Sequence, residues 1–170
     1  MSELQASLDA ARAVNTGNGR FQAHVETAGL SFFADEPLAA GGLGSGPTPY
    51  QLLASALAAC TTMTLKLYAA HKDLLVDSIE TRVEHRRDED VVPADIFVRR
   101  IRIDGTLDSA QRSRLLEIAD LCPVHRTLTG GARIETVSEG APLAAAPSTN
   151  HVVDMEALIA VGRGSYDFTQ

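Results

Sequence analysis

Apolar residues along this chain recur with two different periods, and the change from one to the other divides it into strands and helices. Phe21, Ala23 and Val25 alternate with Gln22, His24 and Glu26, the period of a half-buried strand. The stretch from Arg20 to Phe33 therefore predicts one or two strands, broken near Gly29, after the turn cluster Asn15-Thr16-Gly17-Asn18-Gly19. Met1 to Thr16 is only weakly patterned. Gly41 to Pro47 reads as a glycine-rich loop, and the pattern then turns helical. Thr48 is placed to cap, Pro49 suits the first turn and Gln51 completes a capping box. The spacing predicts a helix from Pro49 to His71 whose apolar stripe is Leu53, Leu57, Cys60, Thr64 and Leu67. Ala54, Ser55, Ala56, Ala58 and Ala59 allow other backbones to come close, so this is read as the central buried helix.

Val76 to Asp104 predicts a hairpin bent at Arg87-Asp88-Glu89-Asp90. Its outer face would carry Arg82, Glu84, Arg86, Arg100 and Arg102. The apolar positions shift from even to odd numbers across Arg99-Arg100, which suggests a bulge, and Phe97 finds no place on the polar face. Asp108 or Ser109 caps a second helix, about Ala110 to Leu121, with Leu115, Ile118 and Ala119 inward. Cys122-Pro123 opens a short third helix ending at Gly130-Gly131, and Arg133 to Val137 is expected to be a last strand. The Ala-, Pro- and Ser-rich residues 138–150 read as a linker, with a tail to Gln170. The expected organisation is one α+β domain over 1–137 followed by the linker and tail over 138–170.

Composition narrows the possible functions. A chain of 170 residues with 45% hydrophobic content is long enough for one core. A net charge of -7 argues against a fold-wide grip on nucleic acid or anionic membrane. With no Trp and 5% aromatics, a base-stacking surface is not expected. No apolar run is expected to approach the roughly 20 residues of a membrane span, and the polar start, Met1 to Ala10, lacks the pattern of a signal peptide. The expected location is cytoplasmic. There, two cysteines stay reduced unless they do redox work or bind metal.

Those two cysteines do not form a CxxC motif, so their settings carry the argument. Cys60 lies on the apolar face of a helix, where a cysteine can be simply a small buried hydrophobe. Cys122 precedes Pro123 at a helix N-terminus, where free N–H groups and the helix dipole favour a thiolate. His125 and Arg126, one turn on, could add positive charge; an ordinary loop-to-helix junction remains the alternative. The glycine loop lacks the Lys of a phosphate-binding loop, and Cys122-x-x-His125 is one ligand pair where a zinc site needs four ligands. No metal and no cofactor are expected.

Two stretches, Gly46 to Thr64 and Leu115 to Gly130, resemble the OsmC/Ohr family in residue type, placement and order. The resemblance implies an α+β fold in which antiparallel sheets wrap paired central helices of an intertwined homodimer. It also implies a thiol-dependent peroxidase in which Cys60 attacks an organic hydroperoxide and Cys122 resolves the sulfenic acid to a disulfide that an external dithiol reduces. The peroxidase members usually carry a glutamate where this chain has Tyr50, and an arginine that the glutamate helps position beside the cysteine. Arg20 is the candidate for that arginine, with Arg126 or His125 as a substitute cation. The likeness is to a less characterised OsmC-like branch. A non-catalytic dimer holding a small hydrophobic ligand, and a thiol redox sensor, are therefore alternative readings.

Overall fold

A computed structural model describes residues 10–138 and Gly140. The linker and tail expected beyond Ser138 otherwise lie outside the described residues. The chain divides into two compact units, one reaching Leu52 and taking in the stretch from Arg133, the other built on Leu53–Ala132.

The first unit is a three-stranded antiparallel meander of β1 (Ala11–Asn15), β2 (Ala23–Thr27) and β3 (Leu30–Ala34). β2 and β3 are joined by a two-residue turn with positive φ at both Ala28 and Gly29, which matches the twist of a tight hairpin. β1 falls in the stretch whose sequence carries almost no alternation, and all five of its residues are exposed. Without a buried face a strand has no apolar period to reveal it. After β3 the chain is gathered round Asp35, which is buried. Its carboxylate accepts from the amides of Glu36 (2.8 Å), Leu43 (3.0 Å) and Ser45 (3.2 Å) and from the Ser45 hydroxyl (2.8 Å). Burial opposes the charge, but the Ser45 hydroxyl and these amides outweigh it and hold the carboxyl below its usual range. Gly46 is obligatory here, because a Cβ would lie 1.7 Å from the Phe33 carbonyl oxygen. Residues 133–138, expected to include a strand, form none; Ile134 and Val137 are 86% and 76% exposed. Their alternation pairs with no sheet edge among the described residues.

Helix α1 (Pro49–His71) opens with the expected capping box. The Thr48 amide donates to Gln51 Oε1 at 2.9 Å and the Gln51 amide to Thr48 Oγ1 at 3.3 Å. It closes where Asp73 takes a positive φ and the Leu74 amide reaches back to the Ala69 carbonyl at 2.9 Å. Its buried residues are Leu57, Cys60, Thr61, Thr64, Leu65 and Ala69, while Leu53 is exposed. The stripe of the sequence reading is thus right at its centre and misses Thr61, Leu65 and Ala69. Contrary to the expectation that no apolar run reaches membrane-span length, α1 is long and apolar enough to qualify, with a mean hydropathy of 1.4 over its best window. Its buried face is part of a protein core.

In the second unit β4 (Leu75–Arg87) and β5 (Asp95–Thr106) form one long antiparallel hairpin. Register puts Ile79, Thr81, Val83 and His85 on one face with Ile103, Ile101, Arg99 and Phe97. The other face carries Glu80, Arg82, Glu84 and Arg86 with Arg102, Arg100, Val98 and Ile96. The bulge expected at Arg99-Arg100 is absent. Pairing runs unbroken there, and the irregularity lies at Val76/Ser78, opposite Gly105. Gly105 has φ +147, and a Cβ on it would lie 2.3 Å from the Leu75 carbonyl oxygen, so the chain crosses itself too closely for any side chain. Phe97 accordingly faces inward, and so does Arg99.

Helix α2 (Ser109–Ala119) is capped by Asp108, with Gln111 returning the bond. It buries Leu115, Ile118 and Ala119 as expected, against Leu65 and Ala69 of α1 with Ile79, Ile101 and Ile103 of the hairpin around them. Leu65 and Leu115 are fully buried, each contributing about 2–3 kcal/mol of hydrophobic stabilisation. Helix α3 (Pro123–Gly130) starts at Cys122 and ends at Gly131.

Candidate functional site: a buried dithiol

Cys60 comes from the middle of α1 and Cys122 from the N-cap of α3; both are free thiols and both are buried. They sit in one apolar cluster with Leu57, lined by Val83, Phe97, Val124 and Leu128. Their side chains are hydrogen-bonded to each other. The Val124 amide donates to Cys60 Sγ at 3.5 Å. Pro123 at the start of α3 has no N–H of its own, so the amides of Val124 and His125 are the first to face the sulfurs.

The environment divides the charge unequally. Sharing its proton with Cys122 and being buried both push the Cys60 thiol up; the Val124 amide pulls weakly the other way. Accepting that proton brings Cys122 down to about 6 against the cost of burial, aided by the His125 amide, the Thr61 hydroxyl and the Val124 amide. The environment thus favours the proton on Cys60 and the charge on Cys122. The helix start after Pro123, expected from the sequence to favour a thiolate at Cys122, acts here through the His125 and Val124 amides, behind the larger effect of Cys60. Thr64, one turn after Cys60, has a buried hydroxyl with no hydrogen bond of ordinary length, and its pull on the Cys60 sulfur is the smallest of those named.

A third element reaches this cluster. Arg99 of β5 donates from Nη1 to Thr61 Oγ1 (3.1 Å) and to the Ala119 carbonyl (2.9 Å), and from Nη2 to Asp120 Oδ1 (2.6 Å). Its side chain is only 13% exposed. His125 Nδ1 lies 4.0 Å from the same Asp120 oxygen. Arg99 was missed in the sequence because the shift of apolar positions across Arg99-Arg100 was read as a bulge. The signal that finds it is the odd-numbered alternation Phe97, Arg99, Ile101, Ile103, which puts one arginine in phase with the core.

The other residues singled out from the sequence are placed as follows. Arg20 belongs to the first unit, its guanidinium 5.5 Å from the centre of the Phe21 ring. Tyr50, also of the first unit, lies exposed in the first turn of α1. Arg126 is on α3, exposed, with its amide donating to the Cys122 carbonyl at 3.0 Å. Among the described residues no three His, Cys, Asp or Glu side chains gather as a metal site would require.

An α+β chain with two cysteines sharing a proton at the meeting of two helices is a buried-dithiol protein. The particular family follows from comparison: residues 42–137 match the OsmC-like protein family, and the chain belongs to it. No curated protein sequence matches the chain. Among solved structures, a putative osmotic stress induced and detoxification response protein from Psychrobacter arcticus has TM-score 0.58 at 18% identity, covering 69% of this chain and 85% of its own. An organic hydroperoxide resistance protein OsmC from Legionella pneumophila has TM-score 0.57 at 23% identity, covering 71% and 88%. The organic hydroperoxide resistance protein OhrB of Bacillus subtilis has TM-score 0.51 at 25% identity, covering 71% and 90%. These likenesses bear out the α+β OsmC-like fold expected from the sequence.

Proposed function

We propose that this protein is a cytoplasmic thiol-dependent peroxidase that reduces organic hydroperoxides through Cys60 and Cys122. The observation that carries the reading is the packing of two buried free thiols, Cys60 and Cys122, in one apolar cluster, which supplies a nucleophile, a base and a resolving thiol in one place. Similarity to organic hydroperoxide resistance proteins supports the substrate class. The apolar lining of Leu57, Val83, Phe97, Val124 and Leu128 suits an alkyl group better than hydrogen peroxide.

The chemistry balances with these groups. As Cys60 passes its proton to the Cys122 sulfur, it attacks the distal oxygen of the peroxide and the O–O bond breaks. Cys60 becomes a sulfenic acid, and the departing alkoxide takes the proton now on Cys122 and leaves as the alcohol. Cys122, again a thiolate, attacks the sulfenic sulfur, expels hydroxide and closes the disulfide. An external dithiol then reduces it and is itself oxidised to a disulfide. The assembly proposed is a homodimer.

Steady-state consumption of an organic hydroperoxide with a small dithiol tests the reading. Turnover is expected, faster than with hydrogen peroxide. Cys60→Ser should abolish it, and Cys122→Ser should permit one slower oxidation, trapped as sulfenic acid on Cys60. No turnover by the intact protein would sink the enzyme.

A further inference from the structure

We propose that Arg99, acting through the Thr61 hydroxyl, is a positioning residue for Cys122, committing the only O–H of Thr61 to the Cys122 sulfur. The inference rests on the dithiol reading of the site and adds to it a residue outside the matched cysteine motifs.

The argument starts from the inventory of a threonine. Its hydroxyl has one hydrogen to give and two lone pairs to offer. Inside a helix that hydrogen ordinarily returns to a carbonyl of the preceding turn. Thr61 is fully buried, and Arg99 Nη1 donates to its Oγ1 at 3.1 Å. A guanidinium only donates. It therefore fills an acceptor site of Thr61, which leaves the O–H for the Cys122 sulfur, whose charge the Thr61 hydroxyl favours. The cation behind the hydroxyl polarises it, and a donor of this kind favours a charged acceptor over a neutral one. The result is a line of side chains from β5 to α1 to the start of α3.

Arg99 is itself held firmly. Its second contact from Nη1 is the Ala119 carbonyl at the end of α2, and Nη2 meets Asp120 at 2.6 Å. Asp120 stands two residues before Cys122, where an unpaired carboxylate would oppose a charge on the sulfur; it is paired with Arg99. The titratable and charged groups nearest Cys122 on the elements that meet there are Cys60 on α1, Arg99 on β5, Asp120 ahead of α3, and His125 and the exposed Arg126 on α3. On β4, His85 stands behind Phe97, with ring centres 4.8 Å apart, and pairs with Asp95. A competing role for Arg99 is purely structural, tying off the C-terminus of α2 through Ala119 and Asp120. The two roles differ in what they do to the sulfur.

The test follows the ultraviolet absorbance of the thiolate against pH in the full-length reduced protein carrying Cys60→Ser, so that one thiol titrates while a hydroxyl donor stays beside it. In this background, Thr61→Val and Arg99→Met are each expected to raise the Cys122 midpoint by about one pH unit or more, the worth of one hydrogen bond to a charged group. The double variant should move it little beyond the larger single change, because both act along one path. Thr61→Ser should keep the low midpoint, and Arg99→Lys should fall between. An unmoved midpoint in Thr61→Val overturns the proposal, as does full additivity of the two changes. A lowered melting temperature with an unchanged midpoint in Arg99→Met assigns Arg99 to structure alone and also overturns it. Where Arg99→Met does not fold, Thr61→Val against Thr61→Ser decides. Absence of peroxide turnover in the intact protein, with these shifts present, defeats the peroxidase reading and leaves the role of Arg99 standing.

Discussion

Placing the charge of the dithiol on Cys122 makes stability depend on pH in a window where few other groups titrate. The ordinary value for the thiol is 9.0, and in the folded chain it is lowered to about 6. A group whose folded pKa is depressed stabilises the fold above its unfolded pKa, and that stabilisation is lost as pH falls through the folded pKa. Working the two values through linkage, the contribution is close to zero at pH 5, about 1 kcal/mol at pH 7 and about 3 kcal/mol at pH 8. Cys60 does not disturb this window. Its folded pKa is raised, so below pH 8 it stays protonated folded and almost wholly so unfolded. The perturbation is Cys122→Ala, which removes the titrating group and adds a packing penalty that does not vary with pH. Urea unfolding of both reduced proteins, at one protein concentration and across pH 5 to 8, gives the difference in stability at each pH. Subtracting the variant also cancels the lowered carboxylates Asp35, Glu84 and Asp104, whose stabilisation is lost only at acid pH below this window. The difference should widen with pH, mostly above pH 6, by about 3 kcal/mol over the range. A flat difference would show that the folded Cys122 thiol titrates where an unfolded one does, and the charge assignment would fall with it.

Two further outcomes test the frame that holds the site. Leu115→Ala, at a fully buried position, should cost about 2–5 kcal/mol in urea unfolding, because the surrounding core closes only partly over the cavity. Light scattering at micromolar concentration should give a dimer, since α1 leaves Ala56, Ala59 and Met63 exposed on a face too apolar for a lone helix, and a monomer would refute it.

How far the fold was legible in the sequence depended on whether an element had a local signal. Helices α1, α2 and α3 were found within a few residues, because Thr48-Pro49, Asp108 and Cys122-Pro123 are capping chemistry written in neighbouring residues. The β2–β3 turn was found because Gly29 breaks the alternation beside it. β1 was missed because both of its faces are exposed, and a strand without a core side shows no period. Residues 133–137 were taken for a strand because alternation is necessary for a half-buried strand but does not supply a partner. The pairing of Cys60 with Cys122 came from likeness to a family; nothing in the spacing of two distant cysteines specifies their contact.

The reading of Arg99 failed for a different reason, and that reason bears on the chemistry. A charged residue in phase with the core looks, in sequence, like an irregularity of the strand, and here it was taken for a bulge. Local pattern and fold disagree most where a group is kept for something other than packing. Burying a guanidinium is costly unless each of its bonds is made, and Arg99 makes bonds to a hydroxyl, a carbonyl and a carboxylate. An apolar residue at this position would serve the core of Val83, Phe97 and Ile101 at least as well. What it would not do is balance Asp120 and fill the Thr61 lone pair beside Cys122. The arginine's place in the core face of β5 is thus explained by the sulfur charge it supports better than by the stability it adds. It gives this chain a cation for its thiol site on a strand outside the two motifs that hold Tyr50 and Arg126, and apart from the N-terminal Arg20.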